Sequence, residues 1–487
     1  MRIGDKVRKM VKKWLDIQPA GDRHIVIKEP MSFETNVLKN LLWYRGEAEE
    51  LEQFFMAAAT TTVAQQRFWA ASYAAERIRK IHSGLPAMIA DVLSQSVSAD
   101  VQNITIEEEE ANRRWKEIAN LNKFSEMLAK TVTDMLITGD GAFKINIDSE
   151  ISKRPIIEFR DASKVEYKYK SGHIVEIVFS SVYNHKDNEY ILKEHYGKGK
   201  VEYKLYCEDN EVALETVPEL AELKAVSFEG DFIMAVPFMV WPSKKFAGRG
   251  KSIFDNKTDA FDAFDEIISQ WLDAVRAGRV KHYIPEDLIP RGSKGELLNF
   301  DSFGHTFVQT ATVNTEGAKK EIHTVQPDIK YDAFLTSYTT TLDLCLQGII
   351  SPATLGINIG KMSSGEAQRE KKDITGVTRN AITAVLEKVV PQLIDTCLKV
   401  DDVNCGRPVG EYVATITFGE YGAPDFDSRV ATISAATTSG IMSTKAAVEE
   451  LWGTSKTEDW KKDEVKRINL EKGIEEMDEP SVGADII

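Results

Sequence analysis

Two amphipathic stretches flanking a short excursion constrain this chain more than any other feature. In "SIFDNKTDAFDAFDEIISQWLDAVRAG", residues 252–278, Phe254, Phe261, Phe264, Ile268, Trp271, Leu272 and Val275 recur at helical spacing. Asp255, Asp259, Asp262, Asp265, Glu266 and Asp273 occupy much of the rest. Ser252 is placed to cap this helix and Gly278 to end it. At 1.5 Å per residue, a helix of about 25 residues is about 37 Å long, more than a compact core usually needs. Clustered carboxylates can bind metal or act as an acid/base pair. Here they are spread around the helix with no convergent His or Glu, which favours a solvated or channel-facing acidic surface. Residues 328–347 predict a second helix with Tyr331, Phe334, Leu335, Tyr338, Leu342 and Cys345 on one face. Between them, 279–327 reads as short strands and turns, with strand candidates "HTFVQT" and "EIHTVQ". Both apolar stripes need burial, so a helical hairpin with a mixed tip is expected. His282, His305 and His323 lie in the tip at spacings that match no metal motif.

Beyond the hairpin, Gly348, Pro352, Gly356 and Gly360 forbid a regular helix over 348–362. Yet Ile349, Ile350, Leu355, Ile357, Ile359 and Met362 make that loop too apolar for a solvent spacer. A capping box of Ser363 and Glu366 restarts a helix that runs until Pro391 kinks or ends it.

Upstream, residues 34–98 read as helices, including "LKNLLWYRGEAEELEQFF" and "RIRKIHSGLPAMIADVLSQSV", broken at Gly84 and Pro86. A further helical stretch follows "EEEE", whose charge suits a helix N-terminus. From about 142 to 238 short runs alternate with period two, as Val165, Tyr167 and Tyr169 do, predicting an antiparallel, mostly meandering sheet. The fold class is therefore α+β.

The four cysteines, Cys207, Cys345, Cys397 and Cys405, form no C-x-x-C pair and read as reduced packing residues. No run of 18 apolar residues is present, so a membrane span and secretion are not expected. The N-terminal Ile3, Val7, Met10, Val11, Trp14 and Leu15 form a helical stripe among cations. It reads as an arm packed on its own or a neighbouring subunit, with a membrane-surface helix as the alternative. "KKFAGRGKS", residues 244–252, nearly spells a phosphate-binding loop: Gly250, Lys251 and Ser252 fit. The first glycine position is Lys245, which does not take a φ > 0 turn freely.

The order of parts, with "WYRGE" (43–47), "ITGDGAFKI" (137–145), "AGRGKSIFDNKTDAFDAFDEIISQ" (247–270), "SPATLG" (351–356) and "SSGEAQREKKDITG" (363–376), resembles the portal proteins of tailed double-stranded DNA bacteriophages. The resemblance runs from about residue 40 to about 470. An N-terminal basic arm (1–30) lies outside the resemblance, which implies a wing (31–250), a stem of two helices (251–278 and 328–347) and a clip (279–327). A tunnel loop (348–362), a long helix with a returning wing strand (363–424), a helical crown (425–475) and an acidic tail (476–487) complete the expected division. It further implies a tunnel loop presenting Ile350, Leu355, Gly356, Asn358, Gly360 and Lys361, a stem facing the channel with Asp255, Asp259, Asp262, Asp265 and Glu266, and clip contacts through Glu286, Arg291 and Lys294. Lys361 is either a phosphate contact or an ordinary solvated lysine.

The implied assembly is a ring of about twelve subunits in the virion, put together in the host bacterial cytoplasm. It would pass double-stranded DNA and meet a terminase large subunit, a head-tail adaptor, and major capsid and scaffolding proteins, with no cofactor and no membrane. "AGRGKS" then becomes the turn into the first stem helix, and the chain is expected not to be an enzyme. The formal charge of −15 agrees, because static grip on nucleic acid needs cations, whereas an acidic passage favours sliding. The alternatives are a nucleotide hydrolase using residues 245–252 and a structural adaptor that forms no ring.

Overall fold

The computed structural model describes residues 31–59, 65–71, 78–148, 150–208, 210–285, 307–310, 323–357, 365–419, 426–453 and 456–471. They fall into two units, residues 1–418 and 419–487.

In the first unit, Ser32 opens helix α1 (Phe33–Arg45), its Oγ accepting from Thr35 N at 3.2 Å. Gly46 ends it in the left-handed region, so "LKNLLWYRGEAEELEQFF" is two helices, the second being α2 (Ala48–Ala58). Gly84 and Pro86 mark the start of α3 (Leu85–Ser98), and residues 78–84 are not helical. The acidic run leads into α4 (Glu109–Leu121), and α5 (Phe124–Thr138) follows a break at Asn122 and Lys123.

The strand region forms two sheets. β2 (Asp140–Asn146) lies between β3 (Ile156–Asp161) and β10 (Ala235–Met239), antiparallel to both. It is buried almost throughout because α5 and a long helix pack on this sheet. The meander is β4 (Val165–Lys170), β5 (His173–His185), β6 (Asn188–Gly197), β7 (Lys200–Cys207) and β8 (Asn210–Val212), in sequence order. A short β9 (Val226–Ser227) shares an edge of β7. The returning strand expected within 363–424 is β14 (Ala414–Phe418), in the "YVATITFGEY" segment; it pairs antiparallel with β1 (Val101–Ile106), which the sequence reading missed.

The hairpin is present, with shifted ends. Helix α6 spans Thr258–Ala277, 20 residues and so about 30 Å, shorter than expected because residues 253–257 form a turn. Gly278 does cap its C-terminus. Ser252 does not cap its N-terminus: the hydroxyl accepts from Phe254 N at 3.1 Å and donates to Leu136 O at 3.1 Å. Helix α7 (Tyr331–Leu346) packs on α6 through Trp271 stacked on Phe334 (6.2 Å, 7°) and Phe264 against Tyr338 (5.2 Å). Beyond α6, β11 (Lys281–Pro285) pairs parallel with β12 (Phe307–Thr310) and antiparallel with β13 (His323–Val325). His282 shares a hydrogen bond with Thr324, and His323 is exposed.

The long helix α8 (Gly365–Asn404) runs through Pro391, which does not end it. Ile382, Leu386, Val390, Leu393, Ile394 and Cys397 are fully buried at helical spacing, and this burial outweighs the hydrogen bond that proline removes. Cys345 is buried as well, Cys207 is half-buried and Cys405 exposed, all as free thiols.

In the second unit, α9 (Phe426–Thr438), α10 (Thr444–Trp452) and α11 (Glu458–Glu471) follow in order. Trp452 meets Trp460 edge-on at 5.4 Å, and Lys461 bridges Glu449 and Glu458 at 2.8 and 2.7 Å. The expected cap Ser455 lies outside the described residues; Thr457 Oγ1 accepts from Trp460 N at 3.4 Å.

Candidate functional site

The near phosphate loop is a clasp between two backbone turns. After Thr138 the chain turns through Gly139 (φ 99), which lies so close to Gly250 that a Cβ on Gly250 would sit 2.1 Å from Gly139 O. Only two glycines allow that approach. Asp140, fully buried, receives Gly250 N at 2.6 Å and a two-pronged grip from Arg249 at 2.8 and 3.0 Å. Arg249 also donates to the Val165 and Ala162 carbonyls and lies 3.8 Å over the Phe33 ring. A carboxylate therefore stands where a phosphate would need to be, and Ser252, whose hydroxyl would hold a metal ion, is spent on Leu136. The loop joins the sheet to the hairpin.

The carboxylates of α6 correct the sequence reading most. Asp262 and Asp265 are buried and cannot present charge to a channel. Asp262 accepts from Phe68 N and Trp69 N at 2.9 and 3.2 Å. Asp265 accepts from Trp69 Nε1 (3.2 Å) and Ser83 N (2.9 Å) and meets His82 Nδ1 at 2.7 Å. His82 is itself buried, with Nε2 unpartnered. Half-buried Asp255 accepts from Asn36, Asn40 and Ser252 N. Exposed Asp259 pairs with Arg67 at 2.6 Å, and half-buried Glu266 accepts from Gln270. The spacing that looked like a solvated face is an anchoring row, because irregular backbone nearby needs acceptors that no strand or helix supplies.

Burial pushes the Asp262 carboxyl up to about 6 against its two backbone donors. The sign follows: the folded chain takes up a proton as pH falls through about 6, so this group's stabilising contribution is full near pH 4 and lost as pH rises. Ionised Asp262 costs the fold on the order of 3 kcal/mol at neutral pH. Asp262→Asn relieves that cost but loses one acceptor worth about 1–2 kcal/mol, so it should gain about 1–2 kcal/mol at pH 8 and lose about 1–2 kcal/mol near pH 4. Urea titrations at the two pH values check this.

The loop after α7 is pinned at its start. Lys257 Nζ donates to Leu344 O and Gln347 O at 2.7 and 2.8 Å, capping α7, and its burial lowers its pKa. From α8, Thr378 Oγ1 donates to Ile349 O (2.7 Å) and Thr375 Oγ1 accepts from Ser351 N (2.9 Å). Ile350 is 1% exposed and belongs to the core, correcting its expected place on a channel wall. Leu355 is half-buried against that core, and Gly356 is exposed in a tight turn over 352–356. Asn358, Gly360 and Lys361, with Glu286, Arg291 and Lys294, lie outside the described residues. Beside the pinned loop, a cavity of about 510 Å³ is lined by Trp241, Lys251, Lys257, Ile349 and Val377 among others.

One buried charge cluster was not foreseen. Asp401 and Asp402, buried in the last turn of α8, are held by Arg114, Arg154 and Arg407. Burial works to raise the Asp402 carboxyl, but Tyr412, Gly410 N, Arg114 and Arg407 outweigh it and hold it below the usual range. Two acidic residues against the negative end of a helix were the available signal for buried cations nearby.

Among the described residues no group of His, Cys, Asp or Glu is arranged to hold a metal, and no helix is long and apolar enough to cross a membrane.

The family described as "Phage portal protein, SPP1 Gp6-like" matches residues 35–477. A search of curated proteins finds no match. Among solved structures, the chain is similar to one in "Virion of native gene transfer agent (GTA) particle", at 10% identity and TM-score 0.40, covering 91% of this chain and 96% of that one. It is also similar to one in "Neck of native GTA particle computed with C12 symmetry", at 11% identity and TM-score 0.37, covering 81% and 93%.

Proposed function

This chain belongs to the phage portal protein family, SPP1 Gp6-like, and from that premise we propose that it forms a closed ring at one capsid vertex. Double-stranded DNA passes through that ring during packaging and ejection, and a terminase large subunit and a head-tail adaptor dock on it. About twelve copies assemble head to tail, a heterologous contact that closes by rotation. Capsid and scaffolding proteins surround the ring in the virion, after assembly in the host cytoplasm. Residues 31–250 serve as the wing, α6 and α7 as the stem, β11 to β13 as part of the clip, and the second unit as the crown.

The observation that carries this reading is the family match over residues 35–477, which includes the whole of the α6–α7 hairpin. Trp271 stacked on Phe334 ties the two helices of the hairpin together, and the clasp at Gly139 and Gly250 precedes the first of them in the chain. DNA passage without grip is supported by the charge of −15 per subunit and by Asp259 and Glu266; Asp262 and Asp265 play no part in it. Leu355 and Gly356, with Asn358, Gly360 and Lys361, make the channel constriction. Glu286, Arg291 and Lys294 meet the docking partners. The clasp supports a structural subunit over a nucleotide hydrolase.

Genome filling tests the proposal. Heads assembled without this chain should stay empty of DNA, and supplying it should restore filled heads; filled heads in its absence would overturn the reading.

A further inference from the structure

The row of side chains on α6 has a partner of unusual form. Residues 65–71 and 78–84, between α2 and α3, carry almost no regular secondary structure, yet Phe68 and Trp69 are fully buried. Lys80 ties these two arms to each other and to α2. Its Nζ donates to Trp69 O (3.3 Å), Ala71 O (2.9 Å) and Glu52 (3.0 Å), and it lies over the Phe68 and Trp69 rings. Towards α6, the amides of Trp69, Ile81 and Ser83 donate to side chains: Asp262, Ser269 and Asp265, at 3.2, 3.0 and 2.9 Å. Asp262, Asp265 and Ser269 are spaced by three and four residues and share one helix face. The polar hold is thus concentrated on one helix and cross-tied by one lysine.

We infer that residues 65–71 and 78–83 form a strap that engages and releases α6 as one cooperative unit, so that a tilt of the hairpin passes to α2 and α3 through the strap. Its members are joined by Lys80 and by the two buried aromatics, so loosening one contact removes the support of the others. Such a strap lets the hairpin act as a lever on the helical bundle. That last consequence rests on reading α6 as a stem; the strap itself does not, since its contacts lie within one chain.

Amide hydrogen exchange on the full-length chain tests it, read at Trp69, Ile81 and Ser83 with Ile89 and Leu93 of α3 as references. Asp265→Asn removes one of the two acceptor oxygens that Ser83 N and Trp69 Nε1 use, and leaves in place the acceptors of the Trp69 and Ile81 amides, on Asp262 and Ser269. All three amides should nevertheless speed up together, by about 100-fold, with the references unchanged. Ser269→Ala should speed the same three by about 10-fold. An Ile81 amide left unchanged in the first variant, with acceleration confined to Ile81 in the second, would overturn the strap and leave independent contacts. If Asp265→Asn also exposes the α3 amides, Ser269→Ala alone decides between the same two outcomes. Because the readout is local to one chain, a failed strap and a failed ring are told apart.

Discussion

Replacing Arg114 by alanine should destabilise the first unit by about 3–5 kcal/mol, because it leaves buried carboxylates without their most enclosed cation. Arg114 donates to Asp401 at 3.2 Å, to Asp402 at 2.8 Å and to the Tyr412 hydroxyl at 2.8 Å, with its guanidinium 5.2 Å from the centre of that ring. Arg154 and Arg407 remain in the variant, but both are more exposed and their hydrogen bonds to these aspartates are already made. The aspartates also sit at the negative end of a 40-residue helix, so nothing in α8 itself offsets their charge. Arg114→Lys keeps the charge and loses the forked geometry, so it should fall between wild type and alanine. Urea titration of the three proteins measures the order. Equal stability of the alanine variant and wild type would mean that the network carries no net energy.

Gly250→Ala should cost about 3 kcal/mol or more, because the added methyl meets backbone and not a movable side chain. Its Cβ would lie 2.1 Å from Gly139 O, 2.6 Å from Gly139 C and 2.8 Å from Asp140 Cβ. To relieve the overlap the two turns must part, which pulls Gly250 N off Asp140 and disturbs the Arg249 grip. Lys251→Ala, one residue away, should change stability by no more than about 0.5 kcal/mol, since only its backbone N–H is used, by Trp241 O at 2.7 Å. The contrast separates the two readings of "AGRGKS". A nucleotide site would place the loss of function on Lys251; a clasp places the loss of stability on Gly250. Thermal unfolding of both variants, with an ATP turnover assay on the wild type, makes the comparison.

Much of the architecture was legible because it follows from period and punctuation. Trp271, Phe334 and Tyr338 fell on predicted stripes and meet across the hairpin. Gly278 ended α6, and Val165 and Tyr167 turned to the core as their period predicts, whereas Tyr169, expected on the same face, is exposed beyond a register shift at Lys168/Tyr169. The anchoring row was misread because its partners come from far away in sequence. A carboxylate on a helix looks the same whether it faces water or the amides of Trp69 and Ser83. A clue was present in the phase: Asp262, Asp265 and Ser269 keep the three-and-four spacing of a buried face. Ile350 was misplaced for the converse reason, since an apolar residue in a glycine-rich loop does not reveal whether it faces a passage or its own core. Threonines at 375 and 378 decide it by holding the backbone around Ile350 against α8.

The native mass of the purified full-length chain, by light scattering with imaging of the main peak, tests the central claim most directly. A particle of about twelve 54.6 kDa subunits with a central hole is the predicted result. A clean monomer across a range of salt concentrations, with no ring formed even when scaffolding and capsid proteins are supplied, would contradict it.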